Sequence, residues 1–403
     1  MQTNTECEVP FHKPTIGQEE IDEVVATLRS GWLTSGPRTA QFEREFRESI
    51  GVPHTMAVNS CTAGLHLALA ALRIGPGCEV ITTPLTFCAT INVIIHVGAT
   101  PVLADIGPDG NIDPASIAER ITGRTRAIIP VHMAGLPVDM DAIWTLARKH
   151  GLHVIEDCAH AAGARYKGWP IGAGRPDTGH FSDACAFSFY ANKNITTGEG
   201  GMVSTHNSKL AEDMKVLCLH GISRDAWNRY SEKGNWFYQV LESGFKYNMS
   251  DIQSAIGIHQ LRKLERFTED RKRIARLYDH LLGGFEGVET PPDREDSDHA
   301  WHLYSLRLNL DQMQINRDEF ITRLKERGIT ASVHFIPVPL HPFFAEWADR
   351  PENDVPKALA LYPRLVSLPI FPGMTDQQVH HVAATVRELA VDHRKTLVAS
   401  AVA

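Results

Sequence analysis

From Phe187 to Gly201 the chain reads FSFYANKNITTGEGG, and Met202-Val203-Ser204 follow. An apolar, aromatic run of this kind ends a buried strand and delivers one lysine, Lys193, into a Gly/Thr-rich turn before a strand resumes. Lysines stay outside unless they are paired. One held at the end of a buried strand loses hydration, its pKa falls, and the free amine can condense with a carbonyl. Lys193 is therefore a Schiff-base candidate. A loop lysine on a hairpin is the alternative that this segment alone leaves open.

A second stretch, His153-Val154-Ile155-Glu156-Asp157-Cys158-Ala159-His160-Ala161, is an apolar strand ending in a carboxylate. A lone Asp after a strand commonly caps the next turn. Together with a Schiff-base lysine it has another meaning. Pyridoxal phosphate needs such a lysine and an acid that keeps its ring nitrogen protonated, because only the pyridinium is a good electron sink. Asp157 fits that role. Asn59-Ser60-Cys61-Thr62 ends a strand and opens an Ala/Leu-rich helix, so backbone N–H groups and the Ser60 or Thr62 hydroxyl can face an anion at the positive helix end. On its own that stretch is equally an ordinary N-cap. Phe87, after Thr82-Thr83-Pro84, is a core ring or one that stacks on a pyridine face for roughly 0.5–1.5 kcal/mol.

These stretches, with Asn59 to Leu67 and Ser367-Leu368-Pro369-Ile370-Phe371-Pro372-Gly373-Met374, resemble the blocks of the DegT/DnrJ/EryC1/StrS sugar aminotransferases in the same order. The resemblance runs from about Pro14 to about Leu389 and is most specific from Phe187 to Gly201. It implies an α/β, fold-type I pyridoxal-phosphate-dependent transferase with Lys193 and Asp157 as catalytic residues. It further implies that Cys61, Thr62 and Ser188 contact the cofactor phosphate, that Phe87 stacks on the ring, and that His160 packs on the opposite ring face. The block Gly244 to Ser250 resembles one that reaches into a neighbouring subunit's site, with Asn248 making the cross-subunit phosphate contact. Many relatives carry Asn and then Arg where this chain has Lys246 and Asn248, which is a departure from the pattern.

At 403 residues and 43% hydrophobic, the chain can bury a sizeable core and make two or three domains. A net charge of −8, from 40 basic and 48 acidic residues, provides no global field for nucleic acid or an anionic membrane. Seven cysteines, an odd number without a C-x-x-C pair, suggest a reducing compartment. The polar start, Met1 to Glu6, lacks the regions of a signal peptide, and no apolar stretch approaches the roughly 20 residues of a membrane span. The expected location is the cytoplasm.

The elements that must position the lysine follow from periodicity. Residues 1–14 have none and read as an arm. Ile21, Val24, Val25 and Leu28 recur at helical spacing before Gly31. Strand, polar turn and helix then alternate: Thr55 to Val58, Val80 to Thr83, Pro101 to Ala104, Ala127 to Val131 and Leu152 to Ile155 as strands, with helices between. Such alternation argues a mostly parallel sheet flanked by helices, with its ligand crevice at the carboxyl ends of the strands. That edge is where Asn59, Thr86, Asp157 and His160 fall. A helical run is expected over Asp251 to Leu282, its Arg271-Lys272-Arg273 cluster as a solvated face. The expected division is an arm at 1–14, a large cofactor-binding domain at 15–265 and a smaller C-terminal α+β domain at 266–403. In that last part strands are expected at Leu303 to Leu308 and Ala331 to Phe335, helices at Asp318 to Glu326 and Asp376 to Leu389, and a frayed tail from Ala399.

Rival chemistries lack their residues. Gly172-Ala173-Gly174 has no third glycine in dinucleotide register, and the 20 histidines are scattered without an H-E-x-x-H, so no metal site is expected. Cys61 and Cys158 flank the proposed site as small packing residues. A non-catalytic pyridoxal-phosphate-binding regulator is one alternative. A sugar dehydratase of the same fold is another, although relatives with that activity carry histidine where this chain has Lys193. For substrate, the resemblance implies a nucleotide-linked keto sugar, and His160 with Ser332-Val333-His334-Phe335 is closer to relatives that aminate at C4. L-glutamate is the expected donor, in a ping-pong cycle through pyridoxamine phosphate. Thr34 in the Trp32 to Pro37 turn, Lys246 and His334 supply polar and cationic groups for a ligand with a diphosphate. No arginine stands out as a carboxylate clamp, with Arg307 and Arg364 left open. A homodimer with shared sites is expected.

Overall fold

A computed structural model describes residues 8–223, 237–345 and 354–395. The expected frayed tail, Met1 to Cys7 of the arm and most of a polar, aromatic-rich stretch that the sequence carries from Arg224 to Phe245 lie outside them. The alternating pattern folds into β1 (His54–Val58), β2 (Glu79–Thr82), β3 (Thr100–Leu103), β4 (Thr125–Ile129) and β5 (His153–Asp157). A two-residue hairpin, β6 (Arg165–Tyr166) and β7 (Trp169–Pro170), precedes β8 (Ala184–Ser188) and β9 (Gly201–Thr205). Seven of these make one sheet in the order β1-β9-β8-β5-β4-β2-β3. Only β9 runs against its neighbours; the remaining pairs are parallel.

Strands covered on both faces need continuous apolar runs rather than alternation. Every residue of β2, β8 and β9 is buried, polar Glu79, Thr82, Ser188, Ser204 and Thr205 included. The helix Cys61–Ala71 is apolar on nearly all sides and lies in the middle of the stack. It packs closely because Gly64 has no side chain: a Cβ there would stand 2.7 Å from a Val203 methyl.

The expected run from Asp251 to Leu282 is two helices, Asp251–Arg262 and Leu264–Leu282. Lys263 keeps near-helical angles (φ −96°, ψ −6°), so no breaker residue marks the junction. The second helix leads to a three-stranded antiparallel sheet formed by β10 (Val288–Glu289), β12 (Tyr304–Leu308) and β13 (Leu365–Leu368), while β11 (Ser297–Asp298) joins the β6–β7 hairpin. Helices Arg317–Glu326 and Asp376–Asp392 cover the small sheet.

Three expectations are corrected. Arg271 is not on a solvated face: it is fully buried, on the stripe that carries Phe267, Ile274, Ala275 and Tyr278. Its Nη1 donates to the carbonyls of Trp301, His302 and Ile370, which satisfies part of the guanidinium without a counter-ion. The helix Gln18–Ser30 buries Glu20 and Thr27 and leaves Ile21 and Leu28 exposed. Glu20 is drawn inward because it accepts bonds from Gly17 N, Gln260 Nε2 and Lys263 Nζ. Ala331 to Phe335 is no strand; only Ser332 pairs, with Ser367, and Pro337 and Pro339 beyond it have no N–H to extend a ladder.

Candidate active site

Lys193 is presented by a turn at the carboxyl end of the large sheet. The ring of Phe189, just past β8, packs on Phe42 and Phe46 at 5.3 and 5.8 Å. The turn that follows is closed by Lys193 N donating to Tyr190 O at 2.9 Å. Asn194 anchors its far side: Nδ2 donates to Ala162 O and Ala300 O, and Oδ1 accepts from His302 Nδ1 at 3.2 Å. The Lys193 side chain is half-buried, and protein crowds the amine so densely that its pKa falls to about 8. Burial causes that fall, and the Asp157 carboxylate and Cys61 sulfur oppose it.

Asp157 ends β5 and is buried. Burial raises its pKa, and the Ala159 N–H, the Thr90 hydroxyl and Lys193 pull it back. Oδ2 accepts from Thr90 Oγ1 at 2.9 Å and Oδ1 from Ala159 N at 3.1 Å. Thr90 Oγ1 in turn shares a hydrogen bond with Thr86 Oγ1 at 2.8 Å. Oδ2, with one donor, thus keeps a lone pair for a further one.

The anion end is built where β8, β9 and a helix start meet. Ser60 is the N-cap of Cys61–Ala71, its Oγ accepting from Ala63 N at 3.1 Å. Ser188 is paired in register with Gly201. A Cβ on Gly201 would lie 2.7 Å from Cys61 N and Ser60 C, so the glycine lets the strand abut the helix end. Cys61 points inward, its Sγ 3.3 Å from Ala186 O and 3.9 Å from Asp157 Oδ1, which leaves backbone N–H groups and the partly exposed Thr62 at the opening. Asn248 bridges to Val58 beside this end; its Nδ2 donates to Ser35 Oγ at 2.7 Å, and its buried Oδ1 has no partner.

Aromatic groups frame the space between. Phe87 is 61% exposed, an unusual position for a phenyl ring at a strand end. It tilts toward Phe335 at 6.1 Å, and Phe335 stacks on His160 at 5.7 Å and 16°. His160 also lies 4.4 Å from His302, and its buried Nδ1 is unpartnered. Burial and then Lys193 hold the His160 pKa well below its usual value, so this ring is neutral. His334 is lowered to about 4 by burial and by Lys193, and its Nδ1 bonds Ser367 Oγ at 2.9 Å.

The structure therefore groups Cys61, Asp157, His160, Lys193 and His334 around one centre. Thr34 and Lys246 stand on the rim with exposed side chains; Thr34 O accepts from Asp251 N and Lys246 O from Asn59 Nδ2. Arg364 is bonded to Glu289 and to Leu308 O, and Arg307 to Pro108 O, so neither is offered to the lysine. Sequence reasoning passed over Thr90, His302 and Asn194. A Thr one helical turn after Thr86 was the visible trace of the first; nothing local marks the other two. His132, Glu156 and Cys158 also cluster. His132 Nε2 bonds Glu156 Oε2 at 2.9 Å, its Nδ1 accepts from Val138 N, and Glu156 Oε1 accepts from Ser182 Oγ. A metal would have to displace this satisfied network.

The centre fits pyridoxal phosphate by its own geometry: a desolvated lysine, a buried carboxylate with spare acceptor capacity, a helix start against which the strand abuts at Gly201, and an exposed ring free to stack. Comparison with known proteins agrees. The model of the DegT/DnrJ/EryC1/StrS aminotransferase family matches residues 14–387. The spore coat polysaccharide biosynthesis protein SpsC of Bacillus subtilis is 49% identical over 383 residues, covering 94% of this chain and 97% of that one. Among solved structures, the putative sugar aminotransferase Spr1654 of Streptococcus pneumoniae in its PMP form superposes with a TM-score of 0.88 at 33% identity, covering 95% of this chain and 99% of that one. DesV of S. venezuelae does so at 0.85 and 36% identity, covering 95% and 98%. With sequence blocks, fold and site in agreement, this chain belongs to the DegT/DnrJ/EryC1/StrS aminotransferase family and is a pyridoxal-phosphate-dependent sugar transaminase of fold type I.

Proposed function

We propose that the enzyme moves an amino group from L-glutamate to the carbonyl carbon of a nucleotide-linked 4-keto sugar, in two half-reactions that share one site. Bound pyridoxal phosphate supplies the sink for the electron pair left when a donor Cα loses its proton. Lys193 Nζ is the attachment point and the group that carries that proton between donor and cofactor. Asp157 holds a proton at the ring nitrogen, backed by Thr90 and Ala159 N. Ser60, Cys61, Thr62 and Ser188 hold the phosphate at the helix end, and Phe87 with neutral His160 clamps the ring faces.

The observation that carries the sugar reading is the rim. Trp32, Thr34 and Lys246 are exposed beside the site, whereas the two arginines weighed as carboxylate clamps are bonded elsewhere. A rim of this composition suits a nucleotide diphosphate better than a bare amino acid pair. The unpartnered Asn248 Oδ1 and the exposed Trp32, Leu33, Tyr190, Val240 and Leu241 support a homodimer whose second copy completes the phosphate end. The test is product analysis. Enzyme supplied with L-glutamate and a UDP- or dTDP-4-keto sugar should yield the amino sugar nucleotide and 2-oxoglutarate in equal amounts. Amination of simple keto acids alone would overturn the proposal.

A further inference from the structure

The segment from Val9 to Thr15, all but its last residue expected as an arm, is tied into the molecule at Val9, Phe11, His12 and Thr15. Val9 is fully buried in the core of the small sheet; its N donates to Gly328 O at 2.8 Å and its O accepts from Thr330 N at 3.0 Å. Phe11 stacks on His334, with ring centroids 5.5 Å apart and planes 17° apart. His12 Nε2 donates to Ala191 O at 3.0 Å, and its ring meets Phe371 edge-on at 6.5 Å. Thr15 Oγ1 donates to Pro372 O, and Thr15 O accepts from Gln260 Nε2 at 2.8 Å. Seven residues thus link the small sheet, the His334 segment, the lysine turn and the helix Asp251–Arg262.

The bond from His12 falls at a sensitive place. Ala191 is the second residue of the turn closed by Lys193 N and Tyr190 O, so its carbonyl takes no part in the bond that closes the turn. That carbonyl belongs to the peptide plane leading into Asn192, the residue before Lys193. A fixed donor on it sets the plane's tilt and, through it, the direction in which the lysine leaves the backbone. A carbonyl can only accept, so His12 Nε2 carries the proton.

We infer that His12 is a positioning residue for Lys193 and Phe11 one for His334, so that the segment Val9–Thr15 aligns two walls of the active site. Neither acts on substrate. The inference rests on Lys193 as the cofactor's attachment point. Misplacing a reacting group by about 1 Å can cost on the order of a hundredfold in rate, so loosening the turn should slow capture of the cofactor without preventing it.

The experiment compares wild type with His12→Phe, His12→Gln and His12→Asn. Gln places an amide N–H close to where His Nε2 stands, and Asn places it a bond short. Apoprotein of each is mixed with pyridoxal phosphate, capture is followed by absorbance, and the product is fixed with borohydride for peptide mapping. Capture by His12→Phe and His12→Asn should be roughly tenfold slower, with donor KM within about twofold of wild type and kcat reduced; His12→Gln should recover to within about threefold. If His12→Phe does not fold, the Gln and Asn pair carries the comparison. Equal rates for Gln and Asn, or a wild-type rate for Phe, would overturn the inference. A wild-type peptide map that names another lysine would overturn the attachment reading, and this inference with it.

Discussion

Lys193 has a pKa near 8 before any cofactor is bound, and this has a measurable consequence in the apoprotein. At pH 7 about a tenth of the amine is neutral, against about 0.03% for a lysine at its ordinary 10.5, a difference of roughly 300-fold in nucleophile. Capture of pyridoxal phosphate should therefore slow about tenfold per unit as pH falls below 8 and level off above 9. Asp157 raises the Lys193 value, so Asp157→Asn should move the midpoint further down. The assay is stopped-flow absorbance of apoprotein against excess cofactor from pH 6 to pH 10. A rate that continues to climb to pH 10, or a midpoint that rises in Asp157→Asn, would refute the desolvation argument. The same shift bears on stability. A lysine whose folded pKa is depressed destabilises the fold wherever the unfolded chain would be protonated. The penalty is full below pH 8 and is relieved as pH rises toward 10.5. Lys193→Met apoprotein should accordingly gain on the order of 3 kcal/mol at pH 7 in denaturant unfolding, and little near pH 10.

Lys193→Ala should leave no borohydride-fixed cofactor on any peptide and no turnover, checked by mass spectrometry of the digest. Asp157→Asn in the holoenzyme should slow proton abstraction by about a thousandfold, since unit charges 4 Å apart at an effective dielectric of about 20 interact by about 4 kcal/mol, and cofactor retention should fall less. Thr90 lowers the Asp157 pKa, so Thr90→Val should shift the acid limb of the kcat profile to higher pH. Gly201→Ala forces a Cβ to 2.7 Å from Cys61 N and should cost about 1–3 kcal/mol of stability and weaken the hold on phosphate, read by thermal unfolding and equilibrium dialysis.

Much of the centre was legible because its physics is local. A charged residue at or just past the end of an apolar strand is conspicuous in one dimension, and both Asp157, which ends β5, and Lys193, in the turn after β8, have that signature. The glycines before β9 and the serine opening the helix Cys61–Ala71 are likewise local requirements. What was not legible depends on residues far apart in the chain. Glu20 is buried by Gln260 and Lys263, and Arg271 by carbonyls at 301, 302 and 370, so periodicity misjudged both. Residues 8–15 carry no pattern because their partners, Ile329, His334, Ala191 and Pro372, come one at a time from separate segments. Ala331 to Phe335 reads as a strand by composition, yet Phe335 turns to His160 and only Ser332 stays at the sheet edge.

The central claim is that the amino group is delivered to a nucleotide-linked keto sugar. Its most direct test is a single turnover. The enzyme is converted to its pyridoxamine phosphate form with excess L-glutamate and freed of donor, then mixed separately with UDP- or dTDP-4-keto sugars, pyruvate and oxaloacetate. The expected result is a fast return of the lysine-bound cofactor absorbance only with a nucleotide sugar, and the responding nucleotide names the base. A fast return only with a simple keto acid would contradict the sugar assignment.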